Sequence, residues 1–207
     1  MVSDKDSVRS RLLSYNLSID VVIPSYNFNE KLIDRIKQIR IPEGVIVKYF
    51  IVIDNPVLKL PAREIEGITL IKNDENKGAH ISRNVGIGAG KGEWILFLDD
   101  DIKPEPDLFT KYYDMIKEND ALGYIGKTGF PDPCNRFTRA VVDSDILTFF
   151  SLAETRPSMW WGGTANMRIN RKAMGNIRFD ERFPKAGGGE DIDLCLRVCK
   201  RTDKEFL

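Results

Sequence analysis

Apolar residues in the first half of this chain come in short dense runs, not in strict alternation with polar ones. Residues 19–23 (IDVVI) stop at Pro24, residues 45–53 at Asp54-Asn55-Pro56, residues 68–71 just before Asn73-Asp74, and residues 94–98 at Asp99. Such runs read as strands buried on both faces. Between them lie stretches of helical spacing. Leu32, Ile33, Ile36 and Ile39 predict a helix over 29–39, with Asn27 or Asn29 as its cap. Residues 78–89 predict a helix rich in small residues, and 107–116 one that follows Pro104 and Pro106; a further strand is expected over 121–125. Strands alternating with helices predict an α/β fold with a mostly parallel sheet covered on both sides. The second half is less regular. A loop is expected over 130–143, a strand over 160–170 and a helix from Glu190 to about Arg201.

In a parallel α/β sheet, ligands bind at the carboxyl ends of the strands. Four of the runs end in polar residues: Pro24-Ser25-Tyr26-Asn27, Asp54-Asn55, Asn73 to Asn76, and Asp99-Asp100-Asp101. The three adjacent aspartates repel one another and are costly to desolvate unpaired, so a cation accounts for them. All-oxygen ligands suit Mg²⁺ or Mn²⁺, which commonly binds one or two carboxylates and a phosphate. The other reading is a solvated acidic turn before a helix. Asp54 could accept hydrogen bonds from a base or ribose, or simply form a turn; Tyr26 could stack on a base, and Asn27 could cap the next helix. Asn76, Lys77 and Gly78, with Arg83 and Asn84, combine a tight strand-to-helix turn with positive charge suited to a diphosphate. Gly86, Gly88 and Gly90 cost a helix about 1 kcal/mol each against alanine, which predicts close packing on the sheet.

Farther along, Gly187-Gly188-Gly189 leads into Glu190-Asp191. Acids in a first helical turn can be simple partners of the helix dipole. Asp191, however, lies three and seven residues before Leu194 and Val198, on the side of the helix expected to be buried. A carboxylate held there could act as a general base towards a sugar hydroxyl. Trp160-Trp161-Gly162-Gly163 offers apolar faces to a sugar ring, or packs into the core. The lone His80 is read as structural.

Composition adds bounds. The chain has 207 residues, 42% apolar, with 31 acidic and 31 basic side chains. A formal charge of zero argues against nucleic acid or an anionic membrane surface as the main partner. No run is long enough to span a membrane. The polar residues 1–11 contain no signal-peptide core, and three scattered cysteines make no disulfide framework, so a cytoplasmic setting is expected.

Taken in order, the stretches VVIPSYN (21–27), IVIDN (51–55), NKGAHISRNVGIGAGKGEWILFLDDDIKPEPDLF (76–109), WWGGTANMRINRKAM (160–174) and FDERFPKAGGGEDIDLCLRV (179–198) resemble family 2 of the glycosyltransferases. The resemblance implies the GT-A fold, a Rossmann-like three-layer sandwich. The whole chain, 1–207, would be one catalytic domain. Its nucleotide-sugar half would run over about 19–105 and its acceptor half over about 106–207, whether complete in itself or part of a longer protein. It also implies a metal-dependent inverting enzyme that moves a sugar from a nucleotide-diphosphate sugar, UDP-sugar foremost, to a glycan or glycoconjugate hydroxyl. By that resemblance Pro24, Tyr26, Asn27 and Asp54 would hold the nucleoside, and Asn76, Lys77, Gly78, Arg83 and Asn84 the nucleotide and diphosphate. Asp101 and Asp99 would hold Mn²⁺ or Mg²⁺, Asp99 and Asp100 would also support the donor, and Asp191 would be the base. Trp160, Trp161, Gly162, Gly163 and Glu190 would face the acceptor sugar. Two rival readings are a catalytically silent nucleotide-sugar-binding module and a nucleotidyltransferase. The second lacks its usual basic, glycine-rich loop after the first strand.

Overall fold

The computed structural model describes residues 16–144, 146–147, 155–185 and 188–207. Its elements in chain order are β1 (Leu17–Ser25), α1 (Glu30–Lys37), β2 (Val45–Ile53), β3 (Ile68–Lys72), α2 (Ala79–Ala89), β4 (Trp94–Leu98), α3 (Leu108–Glu118), β5 (Gly123–Ile125), α4 (Arg136–Asp143), β6 (Asn166–Asn170), α5 (Arg171–Met174) and α6 (Glu190–Thr202). They build a single sheet of order β3-β2-β1-β4-β6-β5. The β1–β2, β2–β3 and β1–β4 pairs are parallel, whereas β6 runs antiparallel to both β4 and β5.

The dense apolar runs have a direct cause. Ile19, Val21 and Ile23 of β1, with Leu96 and Leu98 of β4, pack against Leu32, Ile33 and Ile36 of α1 and Phe109 and Tyr112 of α3. The intervening Val22, Ile95 and Phe97 pack on the opposite face with Ile87 of α2 and Leu194 and Val198 of α6. Both faces of the central strands are buried, so neither set of alternate positions is free to be polar. The result is the helix–sheet–helix sandwich expected of the α/β pattern.

Gly86 shows how closely α2 lies on the sheet: a Cβ there would stand 2.5 Å from Val22 Cγ1. Gly90 is similarly crowded by the buried Asp20 carboxylate, whereas Gly88 meets nothing within 4 Å, so close packing accounts for two of the three glycines. Gly86→Ala is therefore expected to destabilise the fold by about 1–3 kcal/mol, despite alanine's better helix propensity. Urea unfolding of the variant reads this out; unchanged stability would show that α2 can move away from Val22.

Three expectations for the second half need correction. The 130–143 segment contains α4, initiated by a reciprocal capping box in which Asn135 accepts from the Thr138 N–H and Thr138 from the Asn135 N–H. The strand expected over 160–170 is confined to Asn166–Asn170. Before it the chain is pressed against β5, with space for no Cβ at Gly162, whose Cβ position is 2.4 Å from Ile125 Cδ1. The strand over 121–125 shortens to Gly123–Ile125. The C-terminal residues then run along this side of the sheet, Ile125 N–H donating to Leu207 O and Phe206 pairing with Met159.

Candidate active site

The parallel strands place the polar ends of β1, β2, β3 and β4 on one edge of the sheet. Antiparallel β6 starts at that edge, since Leu98 pairs with Asn166. Pairing between β1 and β4 ends at Val22–Phe97, while β1 stays paired with β2 through Ser25–Ile53. Asp54 N–H donates to Ser25 O, so Ser25 faces β2, and by alternation Pro24 faces the β4 side. A proline there removes no ladder bond, because the ladder has already parted. Into this parting opens a cleft of about 280 Å³ between Pro24, Ser25, Tyr26, Asp54, Ala79, Arg83 and the three aspartates Asp99, Asp100 and Asp101.

The aspartates point to different partners. Asp99 accepts from Arg83 Nη2 at 2.8 Å. Asp100 accepts from the Ser25 hydroxyl at 2.5 Å, and its backbone carbonyl accepts from Arg35 of α1. Burial pushes the Asp100 carboxyl above the ordinary range, reinforced by the charges of Asp101 and Asp99 and opposed by Ser25 and Arg35. Asp101 is exposed on the cleft wall and forms no hydrogen bond or ion pair among the described residues. Among those residues no three acids, histidines or cysteines converge into a complete ligand set. The donors are nonetheless hard oxygens in an open cleft, which fits a Mg²⁺- or Mn²⁺-type ion held by one or two carboxylates and completed by ligand phosphate.

Asp54 is turned inward. Only 5% exposed, it accepts from Asn73 Nδ2 and Lys77 N–H at 2.8 Å and from Gly78 N–H at 2.7 Å. It thus fixes the turn that starts α2. Gly78 sits there at φ +90°, a region L-residues rarely enter, and its Cβ position is 3.1 Å from the Lys185 backbone. The following residues divide. Arg83 reaches the cleft, but Asn84 spends its amide on Phe179, donating to the carbonyl and accepting from the N–H, both at 2.9 Å. Lys77 pairs with Asp74 at 2.6 Å, which raises its pKa, and Asn76 is exposed with its carbonyl accepting from Lys185. The side chains of Asn76, Lys77 and Asn84 therefore do not line the cleft. At the end of β1, Tyr26 is 50% exposed on the rim, and Asn29, not Asn27, caps α1.

On the other flank, Gly188 and Gly189 both have positive φ and lead into α6; Gly187 lies outside the described residues. Leu194, Cys195, Val198 and Cys199 bury one side of α6. The Cys195 thiol approaches Gly162 O and the Cys199 thiol Trp160 O, so these cysteines tie α6 to the Trp160–Gly163 segment. Burial pushes the two thiols up to about 12 and about 11, and both remain free. Trp160 is 56% exposed, while Trp161 packs against the core. Glu190 lies 3.7 Å from Arg83 Nη1. Asp191 is half-buried, and burial raises its carboxyl above the ordinary range, an effect opposed by the Ile192 N–H and by Arg83.

Sequence reasoning missed Ser25 and Arg35, the two residues that hold the Asp100 turn. Ser25 sat in the polar end of β1 and could have been found there. Arg35 is one of several basic residues on an amphipathic helix, and nothing in the sequence separates it from the rest. A larger open depression of about 700 Å³ lies around the start of β4, among Glu93, Lys117, Asp120, Lys172 and Arg201. It holds neither acidic cluster, and Lys204 pairs with Asp120 at its wall.

A family model described as glycosyl transferase family 2 matches residues 20–183. The chain belongs to this family. The family 2 chain is 33% identical over 109 residues to the succinoglycan biosynthesis protein ExoO of Rhizobium meliloti, covering 51% of this chain and 30% of that protein. Among solved structures, the mannosyltransferase PcManGT of Pyrobaculum calidifontis in complex with GDP-Man and Mn²⁺ superposes with a TM-score of 0.63 at 15% identity, over 94% of this chain and 55% of that one. S. aureus TarS 1–349 in complex with UDP-GlcNAc gives 0.60 at 14% identity, over 92% and 56%. These likenesses establish the GT-A fold of the family 2 chain. It spans about a third of the length of the curated relatives it matches first, and no helix among the described residues is long and apolar enough to cross a membrane.

Proposed function

We propose that this chain is the catalytic core of an inverting glycosyltransferase that moves a sugar from a nucleotide-diphosphate sugar, UDP-sugar foremost, to a hydroxyl of a glycan or glycoconjugate. The observation that carries the reading is the link that one arginine makes between two acidic clusters. Asp99, Asp100 and Asp101 line the cleft, and Arg83 in its wall pairs with Asp99 and reaches Glu190, the neighbour of Asp191 on α6. The UDP-GlcNAc and GDP-Man complexes of TarS and PcManGT support a nucleotide-sugar donor in this fold. Residues 19–105 would supply the donor half and 106–207 the acceptor half.

Tyr26 on the rim offers a ring face to the nucleobase, and Asp54 serves by fixing the turn at Gly78. Asp101, with Asp99, would hold Mn²⁺ or Mg²⁺, which when bound supplies a Lewis acid that neutralises charge on the departing diphosphate. Trp160 presents an exposed apolar face to the acceptor sugar. Asp191 takes the proton of the acceptor hydroxyl. The hydroxyl oxygen bonds to the anomeric carbon as the bond to the diphosphate oxygen breaks on the opposite face, and the nucleotide diphosphate leaves.

Calorimetric titration with UDP, GDP, dTDP and their sugars, with Mn²⁺ and with chelator, tests the donor site. Binding of one nucleotide family that disappears with chelator is the expected result. Absence of binding by all three families in a folded sample would overturn the reading for this chain.

A further inference from the structure

Arg83 has a place in the molecule that a plain phosphate contact does not explain. Its side chain is 5% exposed, and it comes from the middle of α2 to lie between two acids of distant elements. Nη2 donates to Asp99 Oδ1 at 2.8 Å, while Nη1 stands 3.7 Å from Glu190 Oε1, an ion-pair distance too long for a hydrogen bond. Nε and Nη1 have no hydrogen-bond partner among the described residues. The guanidinium also stands 5.7 Å from the Phe179 ring centroid. Asn84, the next residue on α2, grips the Phe179 backbone in both directions, so the arginine and its ring neighbour are fixed from the same helix. A buried guanidinium needs counter-charge, and removing either side of such a cluster leaves an uncompensated charge behind.

We propose that Arg83 is a positioning residue that serves both acidic clusters at once, holding Asp99 on the donor side and Glu190 on the base side so that the metal turn and the α6 N-terminus are assembled as one unit. The proposal rests on the glycosyltransferase reading for its meaning but not for its test. Asp191 sits in this shared field, acted on by the positive charge of Arg83 and by the negative charge of Glu190 beside it on α6. Among the described residues the other titratable group set against it is the Cys195 thiol, neutral at ordinary pH. Arg83 favours the ionised Asp191 and Glu190 disfavours it. The two neighbours therefore push the same carboxyl in opposite directions.

The experiment is a carboxyl-carbon NMR titration of Asp191 in the metal-free protein, which needs no turnover. Arg83→Met is expected to move the Asp191 midpoint up by at least ~0.5 pH unit and Glu190→Gln to move it down by a similar amount, with the double variant returning towards wild type. Arg83→Lys, which keeps the charge without the fork, should restore the midpoint; it also stands in for the test if Arg83→Met does not fold. Shifts of the same sign in both variants, or none in either, would overturn the proposal. If the opposed shifts appear but no nucleotide binds, the coupling stands and only the transferase reading fails.

Discussion

Replacing Asp191 by asparagine is expected to lower sugar transfer by about 10²–10⁴-fold while leaving nucleotide-sugar affinity unchanged. Asparagine keeps the size and the hydrogen bond that Asp191 Oδ1 accepts from the Ile192 N–H, but cannot take a proton. The cleft proposed for the donor is lined by residues of the 24–101 segment, and Asp191 is not among them. Transfer kinetics and donor titration on the same variant separate the two effects. Equal turnover in variant and wild type would remove Asp191 from the mechanism. The pH profile gives a second check. As the proposed base, Asp191 would act only when ionised, so activity is expected above its folded pKa and should be lost as pH falls through it. Burial raises that pKa, so the acid limb should lie above the value of about 3.9 typical of a free aspartate. The same limb should be absent or displaced in Asp191→Asn.

Asp101→Ala is expected to abolish metal-dependent donor binding. The argument turns on what the neighbouring aspartates already do. Asp99 is paired with Arg83 and Asp100 with Ser25, whereas Asp101 is exposed and uncommitted among the described residues. It is the acid free to meet an incoming cation without first breaking an internal bond. Loss of even a supporting contact around a metal costs ~10–100-fold in affinity, so loss of the ligand itself should exceed that. Stability should hardly move, because exposed substitutions away from special features fall within about ±0.5 kcal/mol. Titration with donor and Mn²⁺, beside a thermal melt, decides the matter. Retained Mn²⁺-dependent binding would shift the metal role to Asp99 or Asp100.

Much of the donor side was legible in one dimension because burial on both faces leaves a strong trace. The dense runs at β1, at β4 and over the second half of β2 are buried on both faces, and parallel strands bring their carboxyl ends to one edge. Asp99 to Asp101 stood out because three adjacent acids are costly without a partner. The inward side of α6 was likewise written in the spacing of Leu194, Cys195 and Val198, which the structure buries. The second half was harder to read. α4 is held by a capping box, and although Phe137, Ala140 and Val141 fall at helical spacing, none of its residues is buried. Residues 160–165 look strand-like in composition but take their path from contact with Ile125 and from the thiols of α6.

The sequence by itself determined the α/β class, the edge of the sheet where the polar strand ends gather and the two acidic clusters, since each follows from local periodicity or from the cost of adjacent charge. Only the tertiary structure decided which of the polar side chains line the cleft and which spend their hydrogen bonds inside the fold. Asp54 lines the cleft while accepting from the backbone of Lys77 and Gly78, whereas Asn84 turns its amide away to the Phe179 backbone. Arg168 carries no signal at all in the sequence, yet it is fully buried on β6 among Trp94, Tyr112 and Tyr124, where burial pulls its pKa down to about 10. Hydrogen-bonding capacity is a property of a residue, but the partner that satisfies it can lie far along the chain, 95 positions away for Asn84, and is chosen by packing.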